Sequence, residues 1–154
     1  MKKTVLLVAM VLFGFSSFAG VPTEGDDTEK ETQAIRQVIQ SAYVDGLQNM
    51  GSIDEIEAGF HPGFNLLGVR DNMLTKFPIY SWISRVKARK AKNPEGRSPE
   101  EKITCKYKSV DVTGHAAMAK IELYQKDKKL FTDYLQLYKF EEGWRIVSKI
   151  YHRH

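Results

Sequence analysis

Residues 103–152 read ITCKYKSVDVTGHAAMAKIELYQKDKKLFTDYLQLYKFEEGWRIVSKIYH. Polar turns cut this stretch at Thr113-Gly114, at Lys126-Asp127-Lys128-Lys129 and at Glu141-Glu142-Gly143. Between them run segments rich in β-branched and aromatic residues, the composition that suits a pleated, half-buried surface. The spacing predicts four long antiparallel strands: Ile103 to Val112, Ala116 to Gln125, Leu130 to Phe140 and Trp144 to His152.

Upstream, the pattern changes period. Ile35, Val38, Ile39, Ala42, Tyr43 and Gly46 recur at three-and-four spacing, continued by Leu47 and Met50, which predicts one long amphipathic helix. Thr28-Glu29-Lys30-Glu31 has the form of a capping box at its start. Gly51 ends it, and Ser52-Ile53-Asp54-Glu55 predicts a second, short helix to about Ala58, with Ile53, Ile56 and Phe60 facing inward. His61-Pro62-Gly63 is expected to break the chain. Phe64 to Val69 and Met73 to Phe77 predict a hairpin, and Pro78 opens a third helix whose inner face carries Ile79, Trp82, Ile83 and Val86. Helices first and a long antiparallel sheet last give an α+β fold.

The start of the chain carries an address. Lys2 and Lys3, the apolar run Val5 to Phe15 and the small-x-small Ser17-Phe18-Ala19 predict a signal peptide over residues 1–19, cleaved after Ala19. The run is short for a bilayer span, and no cysteine follows it to anchor a lipid, so export to the periplasm or medium without a stable membrane anchor is expected. A flexible leader is expected over 20–27 and a single domain over 28–154. The formal charge is +4, and loss of Lys2 and Lys3 lowers it by two. That balance is weak evidence for a polyanionic partner. The basic stretch from Arg85 to Arg97 lacks interleaved aromatics, which argues against nucleic acid and for a solvated helix end. The single cysteine, Cys105, excludes an intrachain disulfide and reads as a strand residue.

Several side chains could carry function. His61 sits at an element boundary, where it could orient a ligand or act as a base, or could simply line a turn. Tyr43 and Trp82 lie on buried helix faces with polar handles, suited either to a ligand or to core packing. In the strand from Leu130 to Phe140, alternation puts Phe131, Asp133, Leu135 and Leu137 on one face and Thr132, Tyr134, Gln136 and Tyr138 on the other. Either face could be the inner one. Asp133 is the acid embedded in an apolar strand, where it could serve as a base or pair with a lysine on the next strand. His115, His152 and His154 lack metal-ligand spacing, and His152-Arg153-His154 is expected to be a frayed chain end. No Gly-rich phosphate loop or nucleophile elbow is present, so no metal or cofactor is expected.

Phe60-His61-Pro62, Leu66-Leu67-Gly68-Val69, Tyr80-Ser81-Trp82-Ile83 and the closing Glu142-Gly143-Trp144-Arg145-Ile146-Val147 together resemble the secreted putative lumazine-binding family. That family is close to the SnoaL-like branch of the nuclear transport factor 2-like superfamily. The resemblance covers nearly all of residues 28–154. It implies a cystatin-like cone, in which the long helix packs on the concave face of a curved sheet and leaves a pocket. It implies a small apolar or aromatic ligand, with Tyr43, His61, Trp82 and Tyr134 as the expected lining. The alternatives are a cofactor-free isomerase, dehydratase or cyclase using His61 or Asp133 as base, and a homodimeric interaction module.

Overall fold

The computed structural model describes residues 24–154; the expected signal peptide and the first residues after it lie outside the described part. Six strands form one sheet. In chain order they are β1 (Phe60–Arg70), β2 (Met73–Pro78), β3 (Ile103–Thr113), β4 (Ala116–Gln125), β5 (Lys128–Phe140) and β6 (Gly143–Arg153). Their spatial order is β2-β1-β6-β5-β4-β3. The four closing strands form an antiparallel meander, as their turns predict. The β1–β2 hairpin joins it by laying β1 parallel to β6.

Helix α1 (Glu24–Val38) runs directly into a π-helical segment (Ile39–Gln48). The helix starts at Glu24, ahead of Thr28, so residues expected in the leader and the capping box lie inside it. Glu31 therefore does not reach back to a helix start. Its carboxylate accepts from Lys139 Nζ and from Trp144 Nε1, both at 2.6 Å, and ties the helix to the sheet. Ile35, Ile39, Ala42, Tyr43, Val44 and Leu47 bury the predicted stripe.

Helix α2 (Ile53–Gly59) is capped by Ser52, whose hydroxyl accepts from the Glu55 N–H at 3.3 Å. It packs closely on the long helix because two glycines permit it. A Cβ at Gly46 would sit 2.6 Å from Ile56 Cγ1, and one at Gly59 would overlap the Ala42 side chain. Helix α3 (Ile79–Lys92) follows Pro78 and buries Ile79, Ile83 and Val86.

Three expectations need correction. His61-Pro62-Gly63 does not break the chain but lies within β1. Proline is accommodated because the β1–β6 register shifts between Phe60 and Asn65, so its missing N–H is not required by the ladder. The chain end is not frayed: His154 N–H donates to Leu130 O at 3.0 Å, and the His154 ring lies 2.9 Å from Thr132 Oγ1. The basic stretch is only partly solvated. Lys90 Nζ donates to Gly51 O at 2.8 Å and Arg97 Nε to Gln48 O at 2.7 Å. These cations satisfy carbonyls at the C-terminal end of the long helix, where the helix dipole favours positive charge.

Candidate functional site

The inner face of the sheet carries one buried polar cluster. On β5, Asp133, Leu135 and Leu137 turn inward and are fully or almost fully buried. On β6, Trp144 and Ile146 turn inward, and strict alternation would next present Ser148 and Ile150. A β-bulge prevents this. The pairing shifts between Gln136↔Ser148 and Leu137↔Ile146, leaving Val147 as the extra residue. Beyond it the parity is reversed: Lys149 is buried, while Ile150 is 52% exposed. Bulges that re-aim a side chain are common beside functional sites.

Lys149, Asp133 and Tyr43 meet here. Lys149 Nζ lies 2.7 Å from Asp133 Oδ1 and donates to Tyr43 Oη at 2.7 Å. Tyr43 Oη donates to Asp133 Oδ2 at 2.6 Å. The ammonium at Oδ1 is a charge partner at short range, but no donor is aligned on that oxygen for a hydrogen bond. Tyr43 comes from the middle of the π-helical segment, an irregularity often found at functional positions. Aromatic rings surround the ammonium: Tyr43 and Tyr151 at 5.0 Å, Phe131 at 5.9 Å and Trp82 at 6.0 Å from Nζ to the ring centroids. Such faces stabilise a cation that has left water.

The environment shifts two protons. Burial pushes the Tyr43 phenol well above its ordinary range, and the negative charge of Asp133 adds to this. Burial lowers the Lys149 ammonium, although Asp133 pulls in the opposite direction. The cluster is a desolvated cation, anion and neutral phenol held in a ring of short contacts.

The cluster opens onto a cavity of about 250 Å³ lined by Tyr43, Gln48, Leu66, Phe131, Lys149, Tyr151 and Arg153. Asp133 lies behind that lining. A second compartment of about 380 Å³, with Phe77 and Trp82 in its wall, adjoins it through Leu66 and Tyr151. Together they fall within the roughly 300–1,000 Å³ usual for small-molecule sites. Lys149 can offer a carbonyl or an anion a hydrogen bond, whereas the Tyr43 hydroxyl is already committed to Asp133, and the aromatic walls suit a flat ring.

Of the residues expected from sequence, Tyr43, Trp82 and Asp133 come together. The Tyr43 and Trp82 rings are 6.0 Å apart, edge to face. His61 and Tyr134 do not join them. The His61 ring stacks on Phe140 at 4.9 Å, and its Nδ1 accepts from the Gly63 N–H at 3.0 Å. Tyr134 takes the opposite face of β5, where Lys120 Nζ lies 5.4 Å from its ring. Lys149 is the residue that sequence numbering did not single out. Its signal was the run Ile146-Val147-Ser148-Lys149-Ile150, which fits no single alternation and so hints at a bulge. Among the described residues, no group of three or more His, Cys, Asp or Glu is placed to hold a metal.

Comparison with known proteins agrees with this architecture. The family model described as putative lumazine-binding matches residues 30–152. A nuclear transport factor 2-like protein of unknown function from Shewanella baltica is 30% identical, with a TM-score of 0.63, covering 82% of this chain and 95% of its own. A second, from Silicibacter pomeroyi, is 22% identical with a TM-score of 0.65 and 98% of its own length covered, against 82% of this chain. A third, from Methylobacillus flagellatus, is 23% identical with a TM-score of 0.61, covering 81% and 93%. The last two bear on the fold alone. No curated protein matches the chain.

Proposed function

The chain belongs to the putative lumazine-binding family, and from that premise we propose that it is an exported binding protein for a flat heteroaromatic small molecule. The observation that carries the reading is the position of Lys149. Lys149 lines a cavity walled by Tyr43, Phe131 and Tyr151, where its ammonium can donate to a ring carbonyl while the ring lies against aromatic side chains. The lumazine of the family's description, a flat ring bearing carbonyls, is the first compound to test. Titration calorimetry with lumazine should give saturable binding, and Lys149→Met should weaken it at least tenfold by removing a charged donor worth roughly 1.5–3 kcal/mol. Equal binding by both proteins would reject the reading. Export is supported by Lys2-Lys3, the apolar run and Ser17-Phe18-Ala19. N-terminal sequencing of protein recovered outside the cytoplasm should begin at Gly20.

A cofactor-free isomerase, dehydratase or cyclase is the alternative favoured by the inward Asp133 within hydrogen-bond reach of Tyr43. It is the weaker reading. One oxygen of Asp133 accepts from Tyr43, the other faces the Lys149 ammonium, and neither lines the cavity as a free base should. A homodimer through the outer sheet face is supported by exposed Met118, Tyr138 and Ile150, and light scattering of the mature chain would test it.

A further inference from the structure

The compartment beyond Trp82 has a chemistry of its own. Its wall includes Arg70, Lys76 and Arg85 beside Phe77, Trp82 and Tyr151, and no carboxylate. Arg70 ends β1 on the face of Leu66 and Gly68, and Arg85 lies on α3, so two separate elements bring cations to one concavity, while Lys76 on β2 pairs with Leu67 and alternates to the other face of the hairpin. None of the three is ion-paired among the described residues. The neighbouring cations have other tasks: Lys87 pairs with Glu57 at 3.5 Å, and Lys90 and Arg97 bond carbonyls at the end of the long helix. Arg85 is held in place, its guanidinium stacked over the Phe77 ring at 4.3 Å. The inner compartment adds Arg153 to this sign, while the charge of its Lys149 is offset by Asp133 behind the lining.

We propose that this outer compartment binds the anionic arm of the ligand, so that the natural ligand is a flat ring carrying a phosphate or carboxylate group. The inference rests on the inner compartment taking the ring, as proposed above. The ring enters over Tyr43 and Lys149, and the arm passes Leu66 and Tyr151, the residues common to both walls, to reach Arg70 and Arg85. Convergent like charges in a concave, low-dielectric wall focus the potential on an incoming anion. A guanidinium already stacked on a ring loses less freedom when it engages one. Phosphate and carboxylate share this recognition, and the two are separated by experiment.

The test uses 2-naphthol, 2-naphthyl phosphate, 2-naphthoate and inorganic phosphate, titrated calorimetrically against the mature protein and its Arg70→Gln/Arg85→Gln variant. Both substituted residues are exposed, and circular dichroism checks that the variant folds. We expect 2-naphthyl phosphate, 2-naphthoate or both to bind about tenfold tighter than 2-naphthol, the scale of one charge-assisted contact. The better of the two identifies the arm. That gain should fall with added salt and vanish in the variant, which should still bind 2-naphthol unchanged. If 2-naphthol binds but neither anion gains, or the gain survives in the variant, the inference is overturned and the ring compartment stands. Inorganic phosphate binding as tightly as 2-naphthyl phosphate would also overturn it, because the ring would then contribute nothing. If no naphthyl probe binds, the ring compartment fails and the inference fails with it.

Discussion

Lys149 Nζ lies 2.7 Å from Asp133 Oδ1 although the two residues are not partners in the sheet register. Asp133 faces Tyr151 across the β5–β6 ladder, and Lys149 faces Leu135. The contact is a diagonal one, available because the β6 bulge puts both side chains on the inner face and a lysine is long enough to reach. Removing one partner leaves the other as an unpaired buried charge. Asp133→Asn and Lys149→Met should each cost about 3–5 kcal/mol, whereas the double variant Asp133→Leu/Lys149→Met should cost less than the sum. Urea unfolding followed by tryptophan fluorescence measures all three. Single variants within 1 kcal/mol of the parent, roughly the range of an exposed pair, would show that the cluster is hydrated rather than buried.

Alkaline stability should carry the signature of two residues with opposite slopes. The folded Lys149 releases its proton below the ordinary 10.5, so in that window the unfolded chain holds more protons and stability rises with pH. The Tyr43 phenol in the folded chain titrates well above the ordinary 10.0, so beyond that value the folded chain holds more protons and stability falls. Lys149→Met should flatten the rising limb. Tyr43→Phe should flatten the falling limb and cost about 1–3 kcal/mol at neutral pH, because Asp133 Oδ2 loses its donor. Melting temperatures measured from about pH 8 to 11, the span around the reference lysine and tyrosine values, read both. Identical profiles in parent and variants would refute the assignment.

In acid, Glu31 is one of the groups whose proton matters. Its bond to Lys139 holds the carboxyl below the ordinary 4.5, with the Trp144 indole adding to this. A carboxyl lowered in the folded state contributes stability above its unfolded value, and that contribution is lost as pH falls through the folded value. Glu31→Gln should therefore be destabilising at pH 7 and converge on the parent in acid. Two denaturation curves that stay equally separated at every pH would contradict this.

The fold was largely legible because turns and periodicity are local. The four strands of the meander follow from Thr113-Gly114, Lys126-Asp127 and Glu142-Gly143, and α3 from Pro78 and the Ile79, Ile83 and Val86 face. What escaped is non-local. That β1 lies parallel to β6 depends on a pairing between residues some eighty positions apart, and the entry of Pro62 into a strand depends on the register slip beside it. The site divides the same way. Tyr43 and Trp82 lie on stripes visible in the sequence, and a lysine partner for Asp133 on the next strand could be named by type. Its identity as Lys149 could not, since alternation from Trp144 and Ile146 points Lys149 outward until the bulge is known. His61 and Tyr134 carry suitable chemistry, but strand parity sends them elsewhere.

Cys105 should behave as a packing residue. Burial raises its thiol to about 12, and Asp133 adds to the shift. Thiolate is therefore scarce at neutral pH, and an aromatic disulfide reagent should label the folded protein much more slowly than the urea-unfolded chain, whose thiols titrate near 8.5. Labelling at equal rates would indicate an open, reactive thiol.

The extra residue at Val147 splits β6 into two independently editable halves. Positions 144 and 146 maintain the hydrophobic interior, and positions 149 and 151 line the cavity. Because the phase changes between them, the cavity wall can be altered at Tyr151 without repacking Trp144 and Ile146. Deleting Val147 would close the bulge and leave Ser148, Lys149 and Ile150 opposite the same β5 partners, so the downstream half keeps its facing with or without the extra residue.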